Sequence, residues 1–146
     1  MGSRGASSGR SNNPFPNSLV QDTLYHGTNV ADITEFSTNG RESNGAIFFA
    51  DDADYAEEEA YVKGEKGGQQ TMYEVKLNIK NPMTVTLKGD QFADPTIEKK
   101  IINEAKAKGY DSVIFKSDYD NPIFNQTFYA VFSSKQVKII DKKKLK

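Results

Sequence analysis

The pentapeptide LYHGT, residues 24–28, contains the single histidine of the chain. The apolar pair before His26 is typical of a short strand, so we expect the imidazole at a strand end, where it can hydrogen-bond a polar ligand. Gly27 has no Cβ and would let a ligand approach the backbone closely. The alternative is a partly exposed histidine that satisfies a local backbone group, and composition alone favours that alternative.

The composition indicates one ordinary globular domain. The chain has 146 residues, of which 27% are charged and 36% hydrophobic, and its formal net charge is -1. This charge supplies no overall basic field that would attract nucleic acid or anionic lipid. The chain has no cysteine, which excludes disulfides and a thiol nucleophile, and one imidazole without thiolates argues against a metal site. No stretch approaches the ~18 apolar residues of a membrane span, so we expect a cytoplasmic protein.

Composition also divides the chain. Residues 1–20 are rich in Gly, Ser and Asn, and we predict a disordered tail or linker because they cannot bury enough apolar surface to offset their conformational entropy. Residues 21–141 are predicted to form the folded domain. Residues 142–146 are predicted to form a basic, solvated tail.

Strands and helices are mixed within the domain. Strands are predicted at 46–50, 73–80, 111–115, 128–132 and 136–140, and helices at 51–62 and 94–109. The second helix has Asp94 as its cap, Pro95 at its first position and Gly109 past its end. Its predicted apolar stripe consists of Ile97, Ile101, Ile102 and Ala105. Because strands outnumber helices and do not alternate regularly with them, the pattern favours an α+β fold.

Three motifs, in this order, resemble the ADP-ribosyltransferase superfamily. They are LYHGT at 24–28, GAIFFADDADYA at 45–56 and FYAVFSSKQVKI at 128–139. The closer likeness is to the branch of diphtheria toxin and the poly(ADP-ribose) polymerases, with its His-Tyr-Glu triad, and to compact phage and bacterial transferase domains. The resemblance covers residues 23–140. It implies two small antiparallel sheets around a cleft that holds NAD, the substrate.

The resemblance also implies roles for the first two motifs. The family's histidine hydrogen-bonds the nicotinamide-side ribose and the next glycine holds the nicotinamide amide, which assigns these roles to His26 and Gly27, with Thr28 beside them. Phe48 stands where the family often has its triad tyrosine. Tyr55 matches the family tyrosine that stacks on nicotinamide, and aromatic faces hold a flat cationic ring well.

Phe48 and its neighbour Phe49 also have a simpler interpretation as core residues. Neighbouring residues on a strand point to opposite faces. We therefore expect one of the two rings to be a core residue and the other to face the cleft.

The third motif departs from the family pattern. Phe128 stands where the family has its catalytic glutamate, directly before an apolar strand. Three interpretations remain open. Gln126, two residues earlier on the same face, hydrogen-bonds the ribose instead; or an acidic residue of the target completes the site; or the domain binds NAD without turning it over. The expected catalytic residues are His26, Tyr55 and Gln126, and the expected NAD contacts are His26, Gly27, Thr28, Phe48, Tyr55 and Phe128.

The missing glutamate bears on the product, since the polymerase branch needs it to extend chains. The resemblance therefore implies a mono-ADP-ribosyltransferase, toxin- or effector-like, that acts on a macromolecular acceptor, with protein favoured and no charge signal for nucleic acid. NAD is expected as the substrate and no metal is expected. The alternative is a catalytically weak or inactive NAD-binding or interaction module of the same fold.

Overall fold

The structure is a computed structural model, and it describes residues 13–38 and 45–145. Its elements are β1 Leu24–Thr28, β2 Ile47–Ala50, α1 Ala53–Gly64, β3 Thr71–Leu77, β4 Pro82–Lys88, α2 Pro95–Ala107, β5 Ser112–Asp118, β6 Thr127–Val131 and β7 Val137–Lys144. The strands form a seven-stranded sheet in the order β4-β5-β6-β2-β1-β3-β7. The predicted α+β class is confirmed.

The sheet is nearly divided between β1 and β2. These strands share one registered pair, Tyr25 with Ala50, whereas β1 pairs with β3 over its whole length and β2 does the same with β6. The two expected sheets are thus two halves of one sheet. Neighbouring strands are antiparallel except β4 and β5, which are parallel. This corrects the expectation of antiparallel pairing throughout, and α2 is the crossover that a parallel pair needs.

Two apolar cores lie on opposite faces of the central strands. The first core consists of Leu24, Phe36, Ile47, Phe49, Tyr73, Val75, Leu77, Ile79 and Val131. The second core consists of Ala46, Ala50, Phe92, Ile102, Ala105, Val113, Phe115, Phe128 and Ala130. β2 and β6 contribute alternate residues to each, so both faces of these strands are covered. This explains why β2 is a continuous apolar run rather than an alternating one.

The predicted helix caps are confirmed, but the predicted stripe of α2 is partly wrong. Asp94 Oδ1 accepts hydrogen bonds from the backbone N–H groups of Thr96 at 2.9 Å and Ile97 at 3.3 Å. The buried residues of α2 are Glu98, Ile102 and Ala105, while Ile97 and Ile101 are half-buried. Spacings of four and three residues place this buried set on one helix face, with a glutamate in it.

The chain ends differ from their predictions. Lys142, Lys143 and Lys144 belong to β7 and pair with β3, because strand pairing uses backbone groups and leaves these lysine side chains exposed. Near the other end, the Ser18 hydroxyl is buried and donates to the Leu77 carbonyl at 2.7 Å, so residues before 21 pack on the domain. The rest of the predicted tail, residues 1–12, lies outside the described residues.

β4 was not predicted. The sequence Asn81-Pro82, directly after the strand predicted at 73–80, is typical of the end of a strand. The structure places Pro82 at the first position of β4, an edge strand, where a missing backbone N–H is tolerated. In the described ranges, no helix is long and apolar enough to cross a membrane. Nor do those ranges contain a cluster of three or more His, Cys, Asp or Glu side chains suited to a metal ion.

Candidate active site

A cleft of about 1160 Å³ lies where the two halves of the sheet separate. β1, β2, α1, the start of α2 and the start of β6 contribute its lining. All the residues that the resemblance assigned to NAD line it, namely His26, Gly27, Thr28, Phe48, Tyr55 and Phe128. Its volume is slightly above the range of about 300–1,000 Å³ that is usual for small-molecule sites.

The His26 imidazole is held in one orientation and is neutral. Its Nδ1 lies 2.8 Å from the Phe48 carbonyl oxygen, and since a carbonyl only accepts, Nδ1 donates and Nε2 keeps a free lone pair. The rings of Phe36 and Phe49 pack around it, with centroids at 4.9 Å and 5.5 Å. Burial, together with the charge of Lys63, lowers the pKa of His26 to about 4. At neutral pH the imidazole therefore offers one acceptor, Nε2.

Gly27 makes room for a helix. A Cβ at this position would lie 1.7 Å from the carbonyl oxygen of Ala56 on α1, a separation that no side chain tolerates. The Gly27 carbonyl accepts a hydrogen bond from Lys63 Nζ at 2.9 Å, so α1 is attached to β1 at two points. This close approach places Tyr55, the neighbour of Ala56, beside the strand of His26. The contact of Gly27 with a nicotinamide amide stays a prediction.

Aromatic rings form another part of the cleft wall. The centroid of the Phe128 ring lies 5.1 Å from that of Tyr55 and 4.6 Å from that of Phe92. Burial, with smaller contributions from Glu59 and Glu98, raises the pKa of Tyr55 to about 12, so its phenol is neutral at physiological pH. Phe128 is only 7% exposed. The position at which the resemblance predicts the family's glutamate is thus occupied by a ring that belongs to the second core.

Phe48 and Phe49 point to opposite faces of β2, as predicted. Phe49 is 1% exposed and belongs to the first core. Phe48 is partly buried against the second core, where it stacks on Phe115 with a centroid distance of 5.9 Å and an interplanar angle of 22°. The cleft-lining position of Phe48 is compatible with a ring contact to nicotinamide, which stays a prediction.

Gln126 is not among the residues that line the cleft. Its backbone N–H donates to the Ser117 hydroxyl at 2.7 Å, and its carbonyl accepts from the Ser117 N–H at 3.1 Å. These bonds attach Gln126 to the end of β5, just before β6 begins at Thr127. The structure therefore separates Gln126 from the other predicted site residues, because Gln126 precedes β6 and its backbone is paired with Ser117 outside the cleft lining.

Comparison with known proteins gives the family. Residues 22–146 match the family model described as ADP-ribosyltransferase in polyvalent proteins. The chain belongs to this ADP-ribosyltransferase family. No curated protein matches it in sequence. Among solved structures, it is similar to a chain of the M. tuberculosis MbcT–MbcA toxin–antitoxin complex, with a TM-score of 0.53 and 12% identity over 85% of this chain and 84% of that chain. This likeness supports the fold alone.

The ADP-ribosyltransferase cleft also contains a carboxylate that the sequence did not predict. Glu98 lines the cleft and is 9% exposed. Burial, and secondarily the nearby Asp94, raises the pKa of Glu98 to about 7. The signal in the sequence was the spacing of Glu98 to Ile102 and Ala105, which places a glutamate on the buried face of α2. Glutamate is rarely buried without a partner, so this position stands out.

Proposed function

We propose that this protein is a mono-ADP-ribosyltransferase, which cleaves the bond between nicotinamide and ribose in NAD and transfers one ADP-ribose to a protein acceptor. One observation carries the proposal. His26, Tyr55 and Phe128 come from three distant parts of the sequence and line one cleft, in a chain that belongs to an ADP-ribosyltransferase family.

The lining residues suit the parts of NAD. His26 Nε2 is an acceptor for a ribose hydroxyl, because Nδ1 is engaged by the Phe48 carbonyl. The rings of Tyr55 and Phe128 provide aromatic surface for the cationic nicotinamide. Lys63 also lines the cleft, and an ammonium that donates one proton to Gly27 has two more to offer to phosphate oxygens.

The proposed chemistry depends on positioning and on electrostatic stabilisation. As the glycosidic bond breaks, its electron pair leaves with the nicotinamide nitrogen and positive charge develops on the ribose. Groups already oriented toward that charge lower the barrier. His26 orients the ribose and is a poor general base near neutral pH, because its pKa is about 4. The ring at position 128 in place of the family's glutamate argues for transfer of one ADP-ribose unit and not for chain growth.

The alternative function is an NAD-binding module without turnover. It is favoured by the packing of Phe128, which is buried in contact with Tyr55 and Phe92 and brings no carboxylate to that position. The two functions differ in one measurable respect, the release of nicotinamide.

Labelled NAD tests the proposal. The purified protein is incubated with NAD that carries ³²P in its adenylate phosphate, in a bacterial lysate, while free nicotinamide is measured in parallel. We expect label on discrete protein bands and release of nicotinamide, neither of which occurs with heat-denatured protein. Label that nuclease removes would instead make nucleic acid the acceptor. NAD binding without label and without nicotinamide would favour the binding module.

A thermal-shift titration tests NAD binding separately. NAD should raise the melting temperature, because a ligand that binds only the folded state stabilises it by mass action. Tyr55→Ala should weaken the shift by removing a stacking face worth about 0.5–1.5 kcal/mol, and His26→Ala by removing an acceptor. Tyr61→Ala is the matched control, since Tyr61 lies on the same helix, is 40% exposed and does not line the cleft. No shift at millimolar NAD would reject the site.

A further inference from the structure

The proposed reaction develops positive charge inside the cleft, and an anion near that charge would stabilise it. Position 128 supplies no anion. Three glutamates do line the cleft in the described ranges, namely Glu35, Glu59 and Glu98. They differ in exposure and in hydrogen-bond partners, and these two properties decide which of them is suited to stabilise the charge.

Glu35 and Glu59 are less suited to this role. Glu35 is exposed, and its carboxylate accepts a hydrogen bond from the Ser134 hydroxyl at 2.7 Å. Glu59 is half-buried on α1. Solvent screens charges at such positions, so their effect on a reacting group is weak.

Glu98 is different because it is buried and has no donor. It is 9% exposed, and nothing in the described ranges donates a hydrogen bond or forms an ion pair with its carboxylate. Its oxygens are nevertheless not fully enclosed, since the fully buried side-chain oxygens without a partner in the described ranges are Gln70 Oε1 and Asn78 Oδ1. A carboxyl group that is mostly buried but keeps some access to the cleft is disfavoured as an anion until a donor or a cation comes near it. Such a group, aimed at a cleft, is suited to a ligand that brings the missing donor.

Glu98 lies near the aromatic residues of the cleft. The charge of Glu98 acts on Tyr55 across the gap between α2 and α1 and contributes to the raised pKa of that phenol. Tyr55 in turn contacts Phe128 at 5.1 Å. Glu98, Tyr55 and Phe128 therefore form one side of the cleft, although they come from three separate elements.

We infer that Glu98 supplies the carboxylate that position 128 lacks, accepting a hydrogen bond from a ribose hydroxyl of NAD and stabilising the positive charge of the ribose as nicotinamide leaves. The inference rests on the proposed function. In the reaction, the bond from ribose C1′ to the nicotinamide nitrogen breaks and its electron pair leaves with neutral nicotinamide. A lone pair of the acceptor then forms the new bond to C1′, and the proton of the acceptor passes to solvent.

The ionisation of Glu98 makes the inference testable by pH. Its pKa is raised to about 7, chiefly by burial and then by Asp94. Asp94 at the helix cap and Tyr55 on α1 are the titratable groups that interact with it, and Tyr55, with a pKa of about 12, is neutral in this range. The ionised form is the one that stabilises a cation. The transfer rate should therefore rise as pH passes through about 7.

Substitution of Glu98 is the first test. Glu98→Gln should lower kcat/KM for nicotinamide release at least about tenfold, with the larger part of the loss in kcat, since the charge acts mainly in the transition state. Glu98→Gln should also remove the rise of the rate with pH. Glu98→Asp should keep part of the rate and part of its pH dependence. Glu104→Gln is the matched control on the same helix, because Glu104 is exposed and paired with Lys108 at 2.7 Å. Its kinetics should equal those of the unchanged protein.

A second measurement does not depend on turnover. Glutamate carboxyl carbons are labelled with ¹³C, and the Glu98 signal is assigned by its absence from Glu98→Gln. Its titration midpoint should fall when NAD is added, because a hydroxyl donor and a nearby cation both favour the ionised form.

The outcomes separate the inference from the proposed function. If NAD raises the melting temperature but leaves the Glu98 titration unchanged, or if Glu98→Gln keeps its rate while Glu59→Gln loses it, the inference is overturned and the proposed function stands. If the unchanged protein neither responds to NAD nor releases nicotinamide, the proposed function is rejected and the assignment of Glu98 with it.

Discussion

The side of the cleft that carries His26 and the side that carries Phe128 differ in how their polar groups are satisfied. On the His26 side, the imidazole donates to the Phe48 carbonyl and Lys63 donates to the Gly27 carbonyl. On the Phe128 side, the rings of Tyr55 and Phe128 pack together, and nothing in the described ranges donates a hydrogen bond to the Glu98 carboxylate.

The difference indicates which polar groups stabilise the fold and which one is available to a ligand. Satisfied polar groups contribute to the stability of the fold, whereas a mostly buried carboxylate without a protein donor is disfavoured as an anion and is typical of a binding site. Burial favours the neutral form on both sides, which lowers the pKa of His26 and raises the pKa of Glu98. The two sides should therefore respond to pH in opposite directions.

The largest effect is expected for Gly27→Ala. The new Cβ would lie 1.7 Å from the Ala56 carbonyl oxygen, so α1 must move, and we expect a loss of at least about 3 kcal/mol in the free energy of unfolding. Urea unfolding measures it. Gly67→Ala is the control, since its φ of 107° brings strain but its Cβ meets nothing within 4 Å. Equal losses in the two variants would contradict the close packing of β1 and α1.

The second prediction concerns the pH dependence that His26 contributes. Its folded pKa of about 4 lies below the ordinary 6.5, so the unfolded chain binds the proton more tightly. The contribution is fully present above pH 6.5 and is lost as pH falls toward 4, by about 3 kcal/mol. Urea unfolding across this range should show a flatter profile for His26→Gln. An unchanged profile would mean that His26 is not held in its neutral form.

Glu98 should give a smaller effect of the opposite sign. Its folded pKa of about 7 lies above the ordinary 4.5, so its contribution is present below pH 4.5 and lost as pH rises through 7. Glu98→Gln should therefore be more stable than the unchanged protein near pH 8, by about 1 kcal/mol, because solvent in the open cleft screens part of the ~3 kcal/mol that a pKa shift of this size implies. Glu104→Gln should show no such gain. A Glu98→Gln variant that is less stable than the unchanged protein at this pH would show that the carboxylate has a partner.

The smallest effect is expected at Ala93, which lines the cleft just before the cap of α2. Its φ of 65° is left-handed, a conformation that costs an L-residue about 1–2 kcal/mol. Ala93→Gly relieves this strain but raises the entropy of the unfolded chain, so we expect a gain below about 1 kcal/mol in unfolding free energy. Ala107→Gly, at the end of α2, should lose stability instead. The melting temperatures of the two variants check this prediction. A loss of stability in Ala93→Gly would contradict the inference that Ala93 is strained.

Local signals in the sequence were sufficient for most of the elements. The alternation of Tyr73, Val75, Leu77 and Ile79 predicted one buried face, and all four are fully buried. Asp94, Pro95 and Gly109 marked the ends of α2, because caps depend on neighbouring backbone groups alone. The motif resemblance likewise selected residues that the fold brings to one cleft, since motifs preserve residue types in a set order.

What the sequence by itself determined is therefore the α+β class, most of the elements and the residues that belong to the family's motifs. Only the tertiary structure decided what those residues meet. It placed α1 against Gly27, attached Gln126 to β5 and turned Glu98 into the cleft. These outcomes depend on which faces of distant segments pack together. The hydrophobic periodicity of one segment predicts which of its faces is buried, but not which other segment covers that face.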